Sequence, residues 1–319
     1  MSAAPMPLLA LADGSAMPAL GLGTWRLPPH QTAASVGQAL ALGYRHLDAA
    51  SIYGNEAEIG EALAEAFAAG ELRRDQLWIT SKLWNDCHAP EAVRPALERS
   101  LAALGLDQLD LYLMHWPVAQ RPGVAMPRSA DDLIPLDQQP LAATWAAMEA
   151  LVSAGLTRHI GVSTFNLTTL QTLQAGARLQ PAVLQVERHP LLQQPALLRH
   201  CQRTGVVLTA YAPLGSSGDS RPPLLLEHPE VLAIAADQSL TPAQVLLAWG
   251  LGCGTAVIPK SLQPKRLVEN LAAASVRLDA ASMARLAALD RGQRLISGQF
   301  CCLPGGPYSL ESLWGEPQC

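Results

Sequence analysis

Four polar side chains lie at or just beyond the ends of three consecutive apolar runs, and their types suit acid–base chemistry. Asp48 ends the run YRHLDAA, Tyr53 follows in a Gly-Asn turn, Lys82 comes after LWITS, and His115 comes after LDLYLM. A phenol has an ordinary pKa of about 10, and a lysine ammonium beside it is expected to lower that pKa, with the aspartate holding the lysine in place. A neutral histidine can hydrogen-bond a carbonyl oxygen. Given a hydride source, such a group could reduce a carbonyl.

Each of these residues also has an ordinary structural interpretation. A tyrosine after a strand commonly covers the core, a strand-end Asp or Lys is commonly a solvated cap, and His115 could be a hydrogen-bonded core histidine. Singly, each is a weak indication of catalysis. Their occurrence at three consecutive strand ends favours one shared site.

The elements that must position these residues are strands that alternate with helices. Helical patterns such as TAASVGQALALG, EAEIGEALAEAFAAG and PEAVRPALERSLAALG separate the strands, and several end in glycine. Eight such units favour a closed (β/α)8 TIM barrel over a doubly wound sheet, and no G-x-G-x-x-G follows the first strand. The eight predicted strands are ALGLGTW, YRHLDAA, LWITSKLW, LDLYLMHW, RHIGVSTF, AVLQVERH, VVLTAYAPLG and TAVIPKS.

The fold prediction includes additions to the barrel. The N-terminal segment LLALADGSAMPAL reads as a β-hairpin with Asp13-Gly14 at its turn. The segment after the fourth strand and the C-terminal tail both exceed plain connections, and long segments of this kind commonly form lids or binding loops. No linker divides residues 1–319, so a single barrel domain is expected. In such a barrel the C-terminal ends of the strands carry the chemistry.

Composition restricts the partners. The chain has 319 residues, 49% of them hydrophobic, and a formal charge of −5, which gives no basic surface for nucleic acid or anionic lipid. The uncharged stretch 238–259 reads as a capped helix, a loop and a buried strand rather than a membrane span. The N-terminus lacks the features of a signal peptide, and the six cysteines show no metal-ligand spacing. A cytoplasmic monomer with reduced cysteines, no metal and no membrane or nucleic-acid partner is expected, and Cys319 is not placed for prenylation.

Eight segments together resemble the aldo-keto reductase family, in particular its aldose and aldehyde reductase-like, plant-type members. They are, in family order, GLGTWR, LDAASIYGNEAEIG, TSKLW, LMHWP, GVSTFN, QVERHP, AYAPLGS and IPKSLQPKRLVEN. The resemblance covers nearly the whole chain. It implies NADPH-dependent reduction of aldehydes and some ketones, with Tyr53 as general acid, Lys82 and Asp48 as its tuning partners, and His115 orienting the carbonyl.

The resemblance also implies a nicotinamide cofactor, NADPH or NADP⁺, bound extended across the barrel. Tyr211 would stack on the nicotinamide, Ser163 and Gln185 would bond its carboxamide, and Leu214 and Ser216 would line the pyrophosphate path. Lys260, Ser261 and Arg266 would meet the 2′-phosphate, with Glu269 and Asn270 on the adenine. The remaining predicted cofactor contacts are Gly23, Thr24, Trp25, Asp48 and Thr164. A small-molecule carbonyl substrate would contact Trp25, Trp84, His115, Trp116, Phe300, Cys301 and Leu303.

Two departures and several alternatives accompany this interpretation. Thr164 stands where many family members have Asn, and Gln263 where a small hydroxyl residue is common. Tyr211 could be a core aromatic, and Lys260 with Arg266 could be a surface charge cluster. At the level of function, a cofactor-binding sensor on the same barrel is an alternative, because a fold does not dictate a function. A reductase that works mainly as an alcohol or sugar dehydrogenase is another.

Overall fold

The predicted barrel strands all form, in the predicted order. The computed structural model of the protein describes residues 6–216 and 224–315. The N-terminal hairpin pairs β1 with β2, and Gly14 at its turn has a φ of +85°, a conformation that glycine adopts without strain. The strands are β1 (Leu8–Ala10), β2 (Ala16–Pro18), β3 (Leu22–Gly23), β4 (His46–Asp48), β5 (Trp78–Leu83), β6 (Leu109–Met114), β7 (Ala119–Gln120), β8 (Leu133–Ile134), β9 (Thr157–Ser163), β10 (Val183–Glu187), β11 (Val207–Tyr211) and β12 (Ala256–Val257).

The eight-stranded sheet closes on itself. Its hydrogen-bonded order is β12-β11-β10-β9-β6-β5-β4-β3, all parallel, and a parallel bridge between Leu20 and Val257 joins its two edges. The Val257 amide donates to Ala19 at 2.8 Å and the Gly21 amide donates to Val257 at 2.9 Å. The structure is therefore the (β/α)8 barrel with an N-terminal hairpin that the sequence predicts.

Helices surround the barrel and cover its outer apolar face. Gly43, Gly105 and Gly205 end helices in the left-handed conformation, as their positions predict. Thr241 caps its helix, since its hydroxyl accepts from the Gln244 amide. The helices are α1 (Pro29–Leu42), α2 (Glu56–Ala68), α3 (Pro90–Leu104), α4 (Leu141–Ser153), α5 (Leu167–Gly176), α6 (Pro195–Thr204), α7 (Pro229–Asp237), α8 (Pro242–Gly252), α9 (Pro264–Ala272), α10 (Ala280–Ala287) and α11 (Leu310–Trp314).

The two long segments have some regular structure of their own. The segment after β6 forms the short hairpin β7–β8, and the tail contains a 3₁₀ turn, Gln299–Cys301, followed by α11. The two segments meet where the Ala119 amide donates to the Tyr308 hydroxyl at 2.9 Å. Within the described residues no single helix is long and apolar enough to cross a membrane. Only the pair α7 and α8 passes such a test of length and composition, and the two are bent by 90°.

Candidate active site

Lys82 lies at the centre of the site, and all three hydrogens of its ammonium group are directed at oxygen atoms. Its Nζ is 2.5 Å from Asp48 Oδ1, 2.8 Å from the Ala49 carbonyl and 3.4 Å from the Tyr53 hydroxyl. Its side chain is fully buried. Burial lowers the pKa of Lys82, and the Asp48 carboxylate opposes that shift. An ammonium with three fixed acceptors cannot rotate freely, so the Tyr53 oxygen has a defined donor beside it.

Asp48 also accepts hydrogen bonds from two of the predicted cofactor contacts, Gln185 and Thr24. Its Oδ2 accepts a hydrogen bond of 2.6 Å from Gln185 Nε2, and its backbone carbonyl accepts one of 2.8 Å from the Thr24 hydroxyl. The strand register explains the second contact, because Gly23 lies opposite Asp48 in the sheet. Because the Gln185 amide nitrogen is directed at Asp48, its Oε1 is the atom available to accept from a carboxamide.

Tyr53 follows β4 in the 3₁₀ turn Ser51–Tyr53, so its hydroxyl reaches Lys82 from the neighbouring loop. The expected lowering of its pKa is wrong for this structure. Burial raises the pKa of the Tyr53 phenol well above 10.0, and the Asp48 carboxylate raises it further. The physical reason is that Lys82 is paired with Asp48, so their combined charge is close to zero and does not offset the burial. The phenol is therefore protonated at neutral pH.

His115 directly follows β6 and contacts two aromatic rings edge-on. Its ring centroid is 5.7 Å from that of Tyr53 and 5.0 Å from that of Trp84. Burial lowers the pKa of His115 well below 6.5, and positive charge at Lys82 and His88 lowers it further, so the ring is neutral. Its Nδ1 is buried with no hydrogen-bond partner among the described residues. The alternative that His115 is an ordinary core histidine with its hydrogen bonds satisfied therefore does not hold, because Nδ1 has no partner.

Most of the predicted substrate residues form one aromatic wall beside His115. Phe300 of the tail stacks on Trp84 at 6.1 Å and meets Trp116 edge-on at 5.1 Å, and Trp314 continues the row 6.1 Å from Trp116. Cys301 is buried and packs in the same cluster, with Leu303 at its margin. Trp25 lies apart from this cluster, with 40% of its surface exposed. The tail therefore contributes aromatic and apolar side chains to the cluster beside His115.

Glu187 at the end of β10 attaches the tail to the barrel. Its two carboxylate oxygens accept from the backbone amides of Leu295 at 2.7 Å and Ile296 at 2.9 Å, and from His189 Nε2 at 2.9 Å. Its side chain is fully buried. Sequence reasoning did not identify this role, because a carboxylate that binds backbone amides leaves no pattern in the residues it holds.

Ser163 and Thr164 form a short hydrogen-bonded chain at the end of β9. Thr164 Oγ1 donates to the His115 carbonyl at 3.2 Å, and Ser163 Oγ lies 3.2 Å from Thr164 Oγ1. Because the only hydroxyl hydrogen of Thr164 is directed at His115, Ser163 is the donor of that pair, which leaves its lone pairs available to a ligand. Thr164 has a φ of +65°, which is strained for a β-branched residue and is tolerated better by Asn.

Most of the other predicted cofactor residues lie on the same rim. Tyr211 ends β11, Leu214 and Ser216 follow it, and Lys260 follows β12. Burial and the charge of Arg26 lower the pKa of Lys260, which identifies Arg26 as a second cation near it. Sequence reasoning missed Arg26. Its φ of +59° and its position 4.9 Å over the Trp25 ring follow from tertiary packing.

The residues predicted to hold the 2′-phosphate and adenine differ in exposure. Arg266 is exposed on α9, whereas Asn270 is buried and Glu269 is half-buried. The Ser261 hydroxyl accepts from the Gln263 amide at 3.0 Å, so it is already engaged by its own turn. Gln263 is exposed and its side chain does not cap α9. Lys260 and Arg266 thus lie after β12 and in the first turn of α9, and the Ser261 hydroxyl between them in sequence is already hydrogen-bonded.

A buried carboxylate supports the strand that carries Lys82. Glu56, at the start of α2, accepts from Ser81 Oγ at 2.5 Å and from Ser100 Oγ at 2.9 Å, and thus ties two helices to the strand that carries Lys82. Sequence reasoning missed this buried carboxylate too. Among residues 6–216 and 224–315, no group of three His, Cys, Asp or Glu side chains could hold a metal ion.

A family profile, sequence relatives and a solved structure all point to the same family. The profile of the aldo/keto reductase family matches residues 19–291. The chain is 52% identical over 319 residues to the aldo/keto reductase slr0942 of a Synechocystis species, with 98% of this chain and 97% of that protein covered. It is 47% identical over 292 residues to human aldo-keto reductase family 1 member A1, with 90% of each covered. The solved structure of the aldose reductase from Schistosoma japonicum matches with a TM-score of 0.86 and 42% identity, covering 92% of this chain and 96% of that one.

The family profile spans all eight barrel strands as well as Asp48, Tyr53, Lys82 and His115, and the two sequence relatives bear the same family name. We conclude that this chain belongs to the aldo/keto reductase family and is a nicotinamide-dependent oxidoreductase that acts on small-molecule carbonyl compounds.

Proposed function

We propose that the protein reduces aldehydes, and some ketones, to alcohols with NADPH, and that Tyr53 is the general acid. The observation that carries this proposal is the directed contact of Lys82 Nζ with both Asp48 Oδ1 and the Tyr53 hydroxyl. A protonated phenol beside a fixed ammonium can lose its proton, because Lys82 Nζ can donate a hydrogen bond to the phenolate oxygen that remains.

The raised pKa of Tyr53 determines when its proton can leave. The raised pKa of Tyr53 keeps the proton on the phenol until a stronger base, the alkoxide formed from the carbonyl, takes it. Lys82 then donates to the phenolate oxygen, and Asp48 holds Lys82 in position. The neutral ring of His115 donates a hydrogen bond to the carbonyl oxygen and so orients it towards Tyr53.

The rim fits a dinucleotide. A bound reduced nicotinamide supplies the hydride. Ser163 Oγ and Gln185 Oε1 are free to accept from its carboxamide, and the half-buried ring of Tyr211 offers a stacking surface. Gly23, Thr24 and Trp25 border the rim beside Asp48, with Leu214 and Ser216 on the opposite side. These residues would bind and orient the cofactor.

A preference for NADPH over NADH is part of the proposal. Lys260, Arg26 and exposed Arg266 give this end of the rim a positive charge that suits a terminal phosphate. Ser261 contributes less than the sequence suggests, because its hydroxyl is engaged by Gln263. Glu269 and Asn270 remain the proposed adenine contacts.

The substrates are proposed to be aldehydes with an apolar or aromatic portion. The wall beside His115 consists of Trp84, Trp116 and Phe300, with Cys301 and Leu303 in the same cluster. Trp25 lies outside this cluster and is exposed, and it remains a proposed substrate contact. A charged group placed against this wall would lose its hydration without a partner.

The test is Tyr53→Phe, with Tyr112→Phe as its control. Tyr112 is a buried tyrosine whose hydroxyl has no partner among the described residues and lies outside the site. Following the decay of NADPH absorbance with a panel of aldehydes, we expect Tyr53→Phe to lower the rate by about 10²–10⁴-fold. Affinity for NADPH, measured by fluorescence titration, should stay within a few-fold. Activity near that of Tyr112→Phe would contradict the assignment.

The same assay separates the other functions considered. A sensor would bind NADPH without appreciable turnover of any aldehyde, and an enzyme working mainly as a dehydrogenase would turn over alcohols or sugars with NADP⁺ faster than it reduces their carbonyl products.

We further propose that residues 1–319 form a single domain that acts as a cytoplasmic monomer. Supporting observations are the packing of the tail in one cluster with Trp84, which follows β5, and Trp116, which follows β6, and five free cysteines in the described part of the chain. Cys319 lies outside the described residues. Sedimentation velocity at micromolar concentration tests the monomer, and a dimer mass would contradict it.

A further inference from the structure

A group of buried polar side chains without hydrogen-bond partners lies near His115. Asn85, His88 and Gln120 are each at most 2% exposed, and in each both polar side-chain atoms have no partner. With His115 Nδ1 they account for seven of the fourteen such atoms among the described residues. Buried amide and imidazole groups in native proteins are almost always hydrogen-bonded, so this concentration requires an explanation.

The contacts of the surrounding elements bring these four residues together. Asn85 begins the 3₁₀ turn Asn85–Cys87 directly after Trp84, whose ring touches that of His115. Strand β7, which carries Gln120, packs against this turn. His88 follows the turn and lies close enough for a charge on it to lower the pKa of His115. No direct hydrogen bond joins Asn85, His88, Gln120 and His115 Nδ1. Buried polar groups in this situation are commonly hydrogen-bonded through a bridging water.

The state of Nδ1 decides what the opposite nitrogen of His115 can do. A neutral imidazole has one donor and one acceptor nitrogen, and the hydrogen bond at one nitrogen fixes the other. Nδ1 is the enclosed nitrogen, and Nε2 makes no hydrogen bond with any described residue, which leaves Nε2 to face the pocket. To donate from Nε2 to a carbonyl oxygen, His115 must accept at Nδ1, and the amide groups of Asn85 and Gln120 are donors.

We propose that Asn85 is a positioning residue, which acts with Gln120 and His88 through a buried, water-bridged network that supplies a donor to Nδ1 of His115. The network holds the imidazole in the tautomer that donates from Nε2 to the substrate carbonyl. This proposal rests on the proposed role of His115. The other ionisable groups that face His115 are Lys82, Tyr53 and His88, and none of them is within hydrogen-bond distance of Nδ1.

The first measurement reads the tautomer directly and needs no substrate. Protein labelled with ¹⁵N-histidine gives ring-nitrogen shifts that distinguish a protonated from an unprotonated Nδ1, and the His115 signals are assigned by their loss in His115→Asn. In wild type we expect Nδ1 unprotonated. Asn85→Leu, which keeps the volume and removes the amide, should yield a mixture of tautomers, whereas Asn85→Ser, which keeps a donor, should retain the wild-type spectrum.

An opposite change is expected from Asn85→Asp. A carboxylate near Nδ1 accepts rather than donates, so it should draw the proton onto Nδ1 and raise the pKa of His115. The pH profile of kcat should then gain a new transition that neither wild type nor Asn85→Leu has. Thr144→Val is the matched control, because the Thr144 hydroxyl donates to the His88 carbonyl and is buried in the same region without supplying an amide.

In kinetics, Asn85→Leu should lower kcat about three- to tenfold, the effect of one hydrogen bond, with KM nearly unchanged. Thr144→Val should leave both the tautomer and the pH profile unchanged. Unaltered ring-nitrogen shifts of His115 in both Asn85→Leu and Asn85→Asp would overturn the proposal. A wild-type protein that fails to reduce aldehydes would contradict the proposed function instead, and the spectra would still decide whether the network exists.

Discussion

Replacing Lys82 with methionine should destabilise the protein strongly, whereas replacing Asp48 as well should restore much of the loss. Lys82 and Asp48 are both buried and 2.5 Å apart. Removing one partner of a buried ion pair leaves an uncompensated charge and costs about 3–5 kcal/mol. Lys82→Met leaves the Asp48 carboxylate with one side-chain donor, Gln185. Asp48→Asn combined with Lys82→Met removes both charges, so we expect that double variant to recover about 2 kcal/mol or more.

The assay is urea unfolding of wild type, the two single variants and the double variant, followed by tryptophan fluorescence. Arg94→Met is the matched control, because Arg94 pairs with Glu98 on an exposed helix face and such pairs contribute only about 0.3–0.5 kcal/mol. The same variants are assayed for NADPH-dependent reduction, where both Lys82→Met and the double variant should be severely impaired. Adding Asp48→Asn to Lys82→Met should therefore restore stability without restoring activity.

Two results would refute this reasoning. If Lys82→Met costs no more than Arg94→Met, the buried pair does not stabilise the fold in the way the geometry indicates. If the double variant is no more stable than Lys82→Met, the loss comes from side-chain packing rather than from an unpaired charge at Asp48.

Three further predictions concern the cofactor, the tail and the strained residue. Arg266→Ala should weaken NADPH binding about ten- to a hundredfold and NADH binding much less, with Lys265→Ala as an exposed control; equal losses for both cofactors would mean that Arg266 does not bind the phosphate. Truncation before Gln299 should alter the ranking of aldehydes more than the affinity for NADPH, and the reverse outcome would place the tail at the cofactor. Thr164→Asn should raise the thermal midpoint, because Asn tolerates a φ of +65° better; a lower midpoint would show that the bond to His115 outweighs the strain.

The barrel could be predicted from the sequence, because apolar runs of strand length separated by helical periodicity define eight units. The structure places Asp48 at the end of β4, Lys82 one residue before the end of β5, and His115 directly after β6, close to the strand ends at which they were predicted. Their catalytic roles stay a prediction.

What the sequence could not predict depends on contacts between distant residues. The direction of the Tyr53 pKa shift follows from how completely Asp48 neutralises Lys82, which is a matter of distance and burial. The engagement of Ser261 by Gln263 and the left-handed backbone of Thr164 are likewise local geometries with no distinct pattern. Arg26 beside Lys260 became apparent only once β3 and β12 met at the closure of the barrel.

The attachment of the tail by Glu187 has a consequence for how substrate range can evolve. Glu187 binds the backbone amides of Leu295 and Ile296 and, up to residue 315, no side chain of the tail, and every residue except proline has a backbone N–H. Substitutions from Phe300 onward are therefore expected to reshape the proposed pocket without weakening this attachment. A laboratory chimera that keeps β10 and joins a foreign tail at residue 297 should retain a docked tail and acquire the donor's substrate preference, so the barrel can serve as a constant scaffold for interchangeable pocket walls.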